Sequence, residues 1–387
     1  MAEPARGFDR GEFLRRRDAL QAGMAAAGME ALLLTTAADI FYVTGFLTRF
    51  WESPARPWFV VVPAKGDPVA VIPAIGVDLM RQSWIFDIRC WDAPDPKDDG
   101  VSLLAATLGD LVPETGAIGT PMGLETQLRM ALGDYMALTA RLAPRRMVDA
   151  TDVVQRVREI KSDPEVAKIR AACAVADRTF ARVPEFAGPG RPLDAVFRDF
   201  QRVLLEEGAD WVSYTAGGAG PGGYGDVISP ATPQALAVGD VLMLDTGAVR
   251  DGYFCDFDRN YAIGLVAPET AQAHASLYAA TDLALEKLRP GMTAADAHRI
   301  LCEGLRAHGA TPGGGRLGHG LGVTLTEWPS FTPKDQTVLR AGMVLTLEPG
   351  AEIAPGRILV HEENIVLRDS GPELLSTRAP AELPVLE

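Results

Sequence analysis

Two stretches of this chain carry the same glycine-led helical pattern at a fixed spacing, and that repetition limits the possible folds more than any single motif. Gly190-Arg-Pro-Leu-Asp-Ala-Val-Phe-Arg198 aligns with Gly291-Met-Thr-Ala-Ala-Asp-Ala-His-Arg299 at an offset of 101 residues. The helical patterns that follow both end in Gly-Ala, at Gly208-Ala209 and Gly309-Ala310, with the same offset. Upstream, Pro164-Glu165 and Pro268-Glu269 open the preceding helices at nearly the same distance. Each half therefore reads as helix, glycine turn, helix, then strands, which predicts an α+β domain with internal pseudo-twofold symmetry. A coincidence of glycine and alanine in helices would not produce agreement at both ends.

The repeat fills only the later part of a 387-residue chain. At about 100 to 200 residues per domain, room remains for another. Before the repeat, Phe13 to Ala27 has helical periodicity, and Ala31 to Thr35, Trp58 to Val62 and Val69 to Pro73 read as strands. The last two are separated by the turn-forming Lys65-Gly66-Asp67-Pro68. An N-terminal α/β domain over residues 1–157 follows, with the repeat domain over 158–387. Ser162-Asp-Pro-Glu165 opens the second domain as a helix start, with a capping side chain, proline in the first turn and acid at the positive end of the dipole.

Apolar residues at 47% and charged residues at 23% fit a packed globular chain and exclude disorder as the main state. With 51 acidic against 37 basic residues and a net charge of −14, there is no cationic surplus for nucleic acid or an anionic membrane. No signal sequence and no membrane span is expected. Cys90, Cys173, Cys255 and Cys302 are scattered without metal-finger or CxxC spacing and read as reduced thiols of a cytoplasmic protein.

Carboxylates recur in strands that should be interior. Val241-Leu-Met-Leu-Asp245 runs on to Arg250-Asp251-Gly252, a tight-turn signal, and then to Tyr253-Phe-Cys-Asp256. A turn centred on Arg250-Asp251 sets Asp245 and Asp256 directly opposite, and one centred on Asp251-Gly252 sets them diagonally. Both registers put the two carboxylates on one face. Such a pair repels unless a cation lies between the acids or one is protonated, and a solvated sheet face is the competing reading. Three further segments favour the cation. Gly318-His-Gly-Leu-Gly322 places His319 in a glycine-flanked turn, Met343 to Gly350 is an apolar strand ending in Glu348, and Ile358 to Leu367 reads as a strand with Glu362 in its middle. Four acids with one imidazole suit a pair of divalent metals such as Mn, Co, Fe or Zn.

The order Asp-x10-Asp, Gly-His-Gly-Leu-Gly, Thr-Leu-Glu-Pro-Gly and Glu-Glu-Asn resembles the pita-bread metallopeptidases, the group of methionine aminopeptidase, aminopeptidase P, prolidase and creatinase. The N-terminal α/β domain is similar to that of the creatinase and prolidase branch. The resemblance implies a dinuclear metal-dependent hydrolase like Xaa-Pro dipeptidases, with metal ligands Asp245, Asp256, His319, Glu348 and Glu362. It implies that Glu348 is the proton shuttle beside a metal-bridging water, with His319 also in the catalytic set. It also implies a small peptide or small amide-like metabolite as substrate, and a homodimer; the aromatic loop Phe50 to Trp58 reads either as ordinary packing or, as in that branch, as a cover for the partner's site.

The chain departs from the family pattern at three places. Two accessory histidines of the peptidases fall here at Thr326 and near Ile228, and an arginine two residues before the last ligand is Val360. Tyr224 and Trp328 flank the missing histidines and, with Thr326, could line a substrate pocket. These losses keep open a non-peptidase C–N hydrolase or lyase like creatinase, ectoine hydrolase or a sulfonium lyase. Asp258 stands where the family has threonine and reads as an acid that orients a ligand, an extra ligand, or a solvated carboxylate. The glycine-rich run Ala216 to Gly225 reads as a flexible loop near the pocket, since no Lys-Ser/Thr follows for a phosphate loop. His274, His298 and His308, on repeat helices, read as core or surface residues.

Overall fold

The computed structural model describes residues 3–387 and divides them into two compact units, one spanning Ala5–Arg158 and the other containing Glu159–Glu387. The first unit is a six-stranded mixed sheet in the order Asp87–Trp91, Val69–Pro73, Phe59–Pro63, Ala31–Leu34, Ala117–Thr120, Arg146–Asp149. Its apolar runs are buried on both faces; Leu33, Phe59, Val61 and Val71 pack with Leu104 and Leu108 of the helix Val101–Leu111. In the segment 50–58 only Phe50–Glu52 form a 3-10 turn, and Trp51 and Trp58 pack on Phe46.

The second unit carries the repeat as two copies of helix pair and antiparallel sheet. The first copy has helices Asp163–Ala181 and Leu193–Glu206, and the second has Pro268–Lys287 and Ala294–Ala307. Ser162 caps the first of these helices through a complete capping box with Glu165, as its sequence predicts. The symmetry extends to individual hydrogen bonds. Gly190 N donates to Leu236 O at 2.8 Å and Gly291 N to Leu339 O at 2.8 Å, while Leu193 and Ala294 N donate to Gln234 and Thr337 O. Both second helices stop at a glycine in the left-handed region, Gly208 at φ 106° and Gly309 at φ 81°.

The sheet of the first copy orders Val385–Leu386, Phe257–Ile263, Asp240–Arg250, Trp211–Pro221. That of the second orders Glu327–Ser330, His319–Gly320, Val344–Leu347, Glu363–Arg368, Gly371–Leu374, with a small three-stranded sheet beside it. Two expectations change here. The glycine-rich segment is not a loop through its first part: residues 216–221 continue a strand laddered to Asp240–Arg250. Glycine is required there by close approach, because a Cβ on Gly217, at φ 145°, would meet Met243 O at 2.1 Å. The segment Ile358 to Leu367 is likewise not one strand. It breaks at His361 and Glu362 between Arg357–Val360 and Glu363–Arg368, which belong to different sheets. Among the described residues no helix is long and apolar enough to cross a membrane.

Candidate metal centre

The hairpin turns on Asp251-Gly252, both at positive φ, so Arg250 pairs with Tyr253 and the ladder sets Asp245 opposite Asp258. Asp256 is therefore the diagonal neighbour of Asp245, and the three carboxylates share one face. The other half delivers its groups from strand ends. His319 stands at a bulge in its short strand, Glu348 follows the strand Val344–Leu347, and Glu362 occupies the break between two sheets. Regular strands could not turn all three side chains inward from separate edges; the irregularities do so.

The result is two overlapping triads, Asp256 with His319 and Glu348, and Asp245 with Asp256 and Glu362. In each, one ligand atom per residue lies within 4.8 Å of the others. His319 Nε2 is 2.8 Å from Glu348 Oε1 and 3.2 Å from Asp256 Oδ2, while its Nδ1 lies 2.7 Å from Gly320 O. With Nδ1 donating to that carbonyl, Nε2 is the nitrogen turned toward the acids, where it carries a proton without metal and would offer its lone pair to a bound one.

Five buried ionisable groups without cations distort one another's equilibria. Burial, and then the Asp256 charge, pushes Asp245 well above the usual carboxylate range, and burial with Glu348 and Asp245 does the same to Glu362. Burial also raises Asp256, against the pull of His319. For Glu348 burial is outweighed by the His319 imidazole and the Thr346 hydroxyl, with Arg316 adding to them, so its carboxyl sits below the usual range. Burial disfavours the His319 cation, yet Glu348 and Asp256 raise it to about 10. Asp245 Oδ1 and Glu362 Oε2 are buried without any hydrogen-bond partner. Orphaned carboxylate oxygens are costly to bury, and a divalent cation on each fits this donor set.

Residues beyond the expected set hold these groups in place. Tyr214 was not singled out in the sequence, yet its hydroxyl lies 2.7 Å from Asp245 Oδ2 and 2.6 Å from Asp256 Oδ1. One hydroxyl proton serves one acceptor, so without metal the second contact needs a protonated carboxylate. Gly247 gives the ring its room, since a Cβ there would sit 2.6 Å from Tyr214 Cε1. Asn364 brackets the backbone of Asp256, donating to its carbonyl and accepting its N–H, which ties the two halves of the unit together. Glu363 is fully buried against Arg259 and Arg378. Glu327 pairs with the buried Lys161 and accepts the amides of Val323 and Thr324, fixing the turn after His319.

Asp258 is buried, accepts the Glu362 amide at 2.7 Å through Oδ1, and takes Asn260 Nδ2 on Oδ2. These contacts rule out the solvated reading and match that of an acid orienting a ligand. Each of the three pocket candidates has a hydrogen-bond partner of its own. Tyr224 is buried, with its hydroxyl accepting the Val360 amide and reaching Asn260. Trp328 is half-buried and donates its indole N–H to Thr337. Thr326 accepts a hydrogen bond from Arg316 at 3.1 Å. Ile228 is 85% exposed. His361, in the same break as Glu362, packs instead against Arg378 and Glu363. His274 is buried and bonds Pro380 O, and His308 bonds Gly304 O within its helix, which suits the packing roles expected of them.

Residues 167–369 match the model of metallopeptidase family M24, and residues 16–160 match the creatinase/prolidase N-terminal domain. The probable dipeptidase PepE of Mycobacterium tuberculosis is 32% identical over 390 aligned positions, covering 99% of each chain. A Xaa-Pro dipeptidase of Pyrococcus horikoshii is 26% identical over 66% of this chain and 73% of its own. Among solved structures, dipeptidase PepE from Mycobacterium ulcerans superposes with a TM-score of 0.84 at 30% identity, covering 98% of this chain and 99% of that one. The prolidase of Thermococcus sibiricus shares the fold, with a TM-score of 0.85 at 23% identity over 97% and 99% of the two chains. Strand-end acids converging from two halves of one repeat, behind a creatinase-type N-terminal domain, place this chain in metallopeptidase family M24 as a metal-dependent hydrolase.

Proposed function

We propose that the chain is a dinuclear metallopeptidase that cleaves small peptides, of the dipeptidase or Xaa-Pro dipeptidase kind. The observation carrying this reading is the pair of triads that share Asp256, with Asp245 Oδ1 and Glu362 Oε2 buried and unpartnered. In this reading Asp245, Asp256, His319, Glu348 and Glu362 would hold two divalent ions. The acid-rich donor set with one imidazole suits Mn, Co, Fe or Zn. Bound divalent ions supply a water acidic enough to attack near neutral pH and polarise the scissile carbonyl.

The chain's own groups supply the rest. Glu348, ionised and beside His319, accepts the proton of the attacking water and returns it to the leaving amine. Tyr214 keeps Asp245 and Asp256 at a fixed separation. Tyr224, Thr326 and Trp328 are the proposed lining of the substrate side, with Tyr224 acting through the Val360 turn. The names of the relatives, dipeptidase and Xaa-Pro dipeptidase, support a small peptide substrate. A cytoplasmic homodimer is the proposed working form, with a boundary between its two domains near residue 157.

A second reading, a C–N hydrolase or lyase acting on a small metabolite, is favoured by Thr326 and Ile228 standing where peptidases of this kind carry histidine. Losing such groups would cost each about 2.7 to 4 kcal/mol of barrier if nothing replaces them. A metal-supplemented screen of dipeptides and small amides, with Glu348→Ala as the blank, separates the two. Turnover of several dipeptides supports the peptidase; turnover of small amides alone supports the second reading.

A further inference from the structure

The strand Trp211–Pro221 is the outermost of its sheet, and the internal repeat shows what can pair with its outer side. At the offset of 101 residues Gly217 corresponds to Gly318, and both have positive φ, 145° and 152°. A Cβ on either would meet a carbonyl of the neighbouring strand, Met243 O at 2.1 Å or Thr346 O at 2.4 Å. In the second copy a further strand, Glu327–Ser330, pairs with His319–Gly320 from outside. Phe331 continues it, donating to Gly318 O at 2.7 Å and accepting Leu317 N at 3.0 Å. In the first copy the residues at that offset, 226–229, form no strand, and Phe331 is matched by Pro230, which has no N–H to give. Among the described residues no hydrogen bond joins Pro230 to Ala216 or Gly217, and the backbone of residues 217–219 bonds only to the strand Asp240–Arg250.

A cavity of about 250 Å³ lies along this edge, lined by Gly217, Gly218 and Ala219 of the strand and by Ser229, Thr232 and Gln234 of the loop that follows. In an antiparallel ladder alternate residues turn N–H and C=O away from the partner, so the edge offers main-chain donors and acceptors to the cavity. With no side chains at Gly217 and Gly218, another backbone can come close. The second copy shows which occupant suits such an edge: an extended main chain, held by strand addition. Ala216, one residue before the cavity, stands opposite Asp245. At about 3.3 Å per residue, Ala219 lies roughly 10 Å further along the edge, beyond the span of a dipeptide held at the acids. We propose that residues 217–219 take the third and fourth residues of an extended peptide as an added strand, so that the site favours tri- and tetrapeptides over dipeptides. This rests on the peptidase reading above and widens the substrate class within it. Recognition runs through the main chain and is therefore tolerant of sequence.

The test uses the metal-loaded wild type with Ala-Pro, Ala-Pro-Ala-Ala, and the same tetrapeptide N-methylated at its third and fourth residues. KM is measured for each, and Kd by calorimetry for any peptide that is not turned over. The tetrapeptide is expected to bind about 5- to 100-fold tighter than the dipeptide, the range for two main-chain hydrogen bonds. N-methylation removes the donors and should bring the tetrapeptide to within about twofold of the dipeptide, by the same affinity arithmetic. Gln234→Trp, at an exposed loop position, fills the groove and should bring the ratio of the two unmodified peptides to about one. A gain with length that is absent, or that survives either change, overturns the proposal and leaves the peptidase reading intact. Length-dependent, methylation-sensitive binding without hydrolysis of any peptide upholds the proposal and overturns the peptidase reading. If no peptide binds, both fall.

Discussion

At the scale of single residues, each member of the Glu362-Glu363-Asn364 run has a separate task. Glu362 turns toward the other acids, Glu363 neutralises two buried arginines, and Asn364 holds the backbone of Asp256. Asp256→Ala is expected to lose metal and activity together, measured by elemental analysis beside dipeptide turnover. Asp258→Ala leaves the Glu362 amide without its acceptor and should weaken metal affinity by about 10- to 100-fold, as loss of an orienting partner does. A metal titration reads this directly, and an unchanged affinity would contradict the positioning role. Asp245, Asp256, Glu348 and Glu362 stood out in the sequence as acids in strand-like apolar segments, where burial has to be justified, and His319 by its glycine-flanked turn. Tyr214 was not, because a register shift between Val212 and Thr215 decides which way its ring points. No pattern of alternation contains that information.

The next scale is the strand and the turn. The hairpin register follows from Asp251-Gly252, where two positive φ values fix a two-residue turn and so decide that Asp258, not Asp256, faces Asp245. The glycine-rich strand was harder to read. Glycines in a strand carry no periodic signal, and the reason for them, the approach of Met243 O, is contributed by a neighbour about 26 residues away in sequence. Gly217→Ala forces a Cβ into that carbonyl at an unfavourable φ and should destabilise the unit by about 1–3 kcal/mol, the usual cost of overpacking. Asn364→Ala strips the partners from the buried N–H and C=O of Asp256, at about 1–3 kcal/mol for each group left unsatisfied. Thermal unfolding of both variants checks these values, and an unchanged midpoint for either would contradict the contact assigned to it. The break at Glu362 was also not readable, because the two flanking strands have continuous apolar patterns and only their sheet partners differ.

For the whole molecule, the repeat explains why one site can draw acids from distant parts of the chain. Each half closes the same helix-and-sheet unit, so the strands of both halves end facing a shared centre. The offset of 101 residues was visible in the sequence and reappears in the paired hydrogen bonds of Gly190 and Gly291. Concentrating the acids has a thermodynamic consequence. Asp245, Asp256 and Glu362 are raised, and Asp258 is pushed up to about 8 by burial, so without metal these four groups bind more protons in the native state than in the unfolded chain above about pH 4. Their contribution to the stability of the metal-free protein therefore falls as pH rises from there toward 8; His319, raised to about 10, acts in the same direction above about pH 6.5. Chelation should accordingly lower the unfolding midpoint more at pH 8 than at pH 6, and a larger loss at pH 6 would contradict this electrostatic description. The most direct test of the central claim is the metal content of reconstituted, desalted wild-type protein by inductively coupled plasma mass spectrometry, with Asp256→Ala alongside. Two divalent ions per chain in the wild type, falling in the variant, is the expected result; no stoichiometric metal in the wild type would contradict the account.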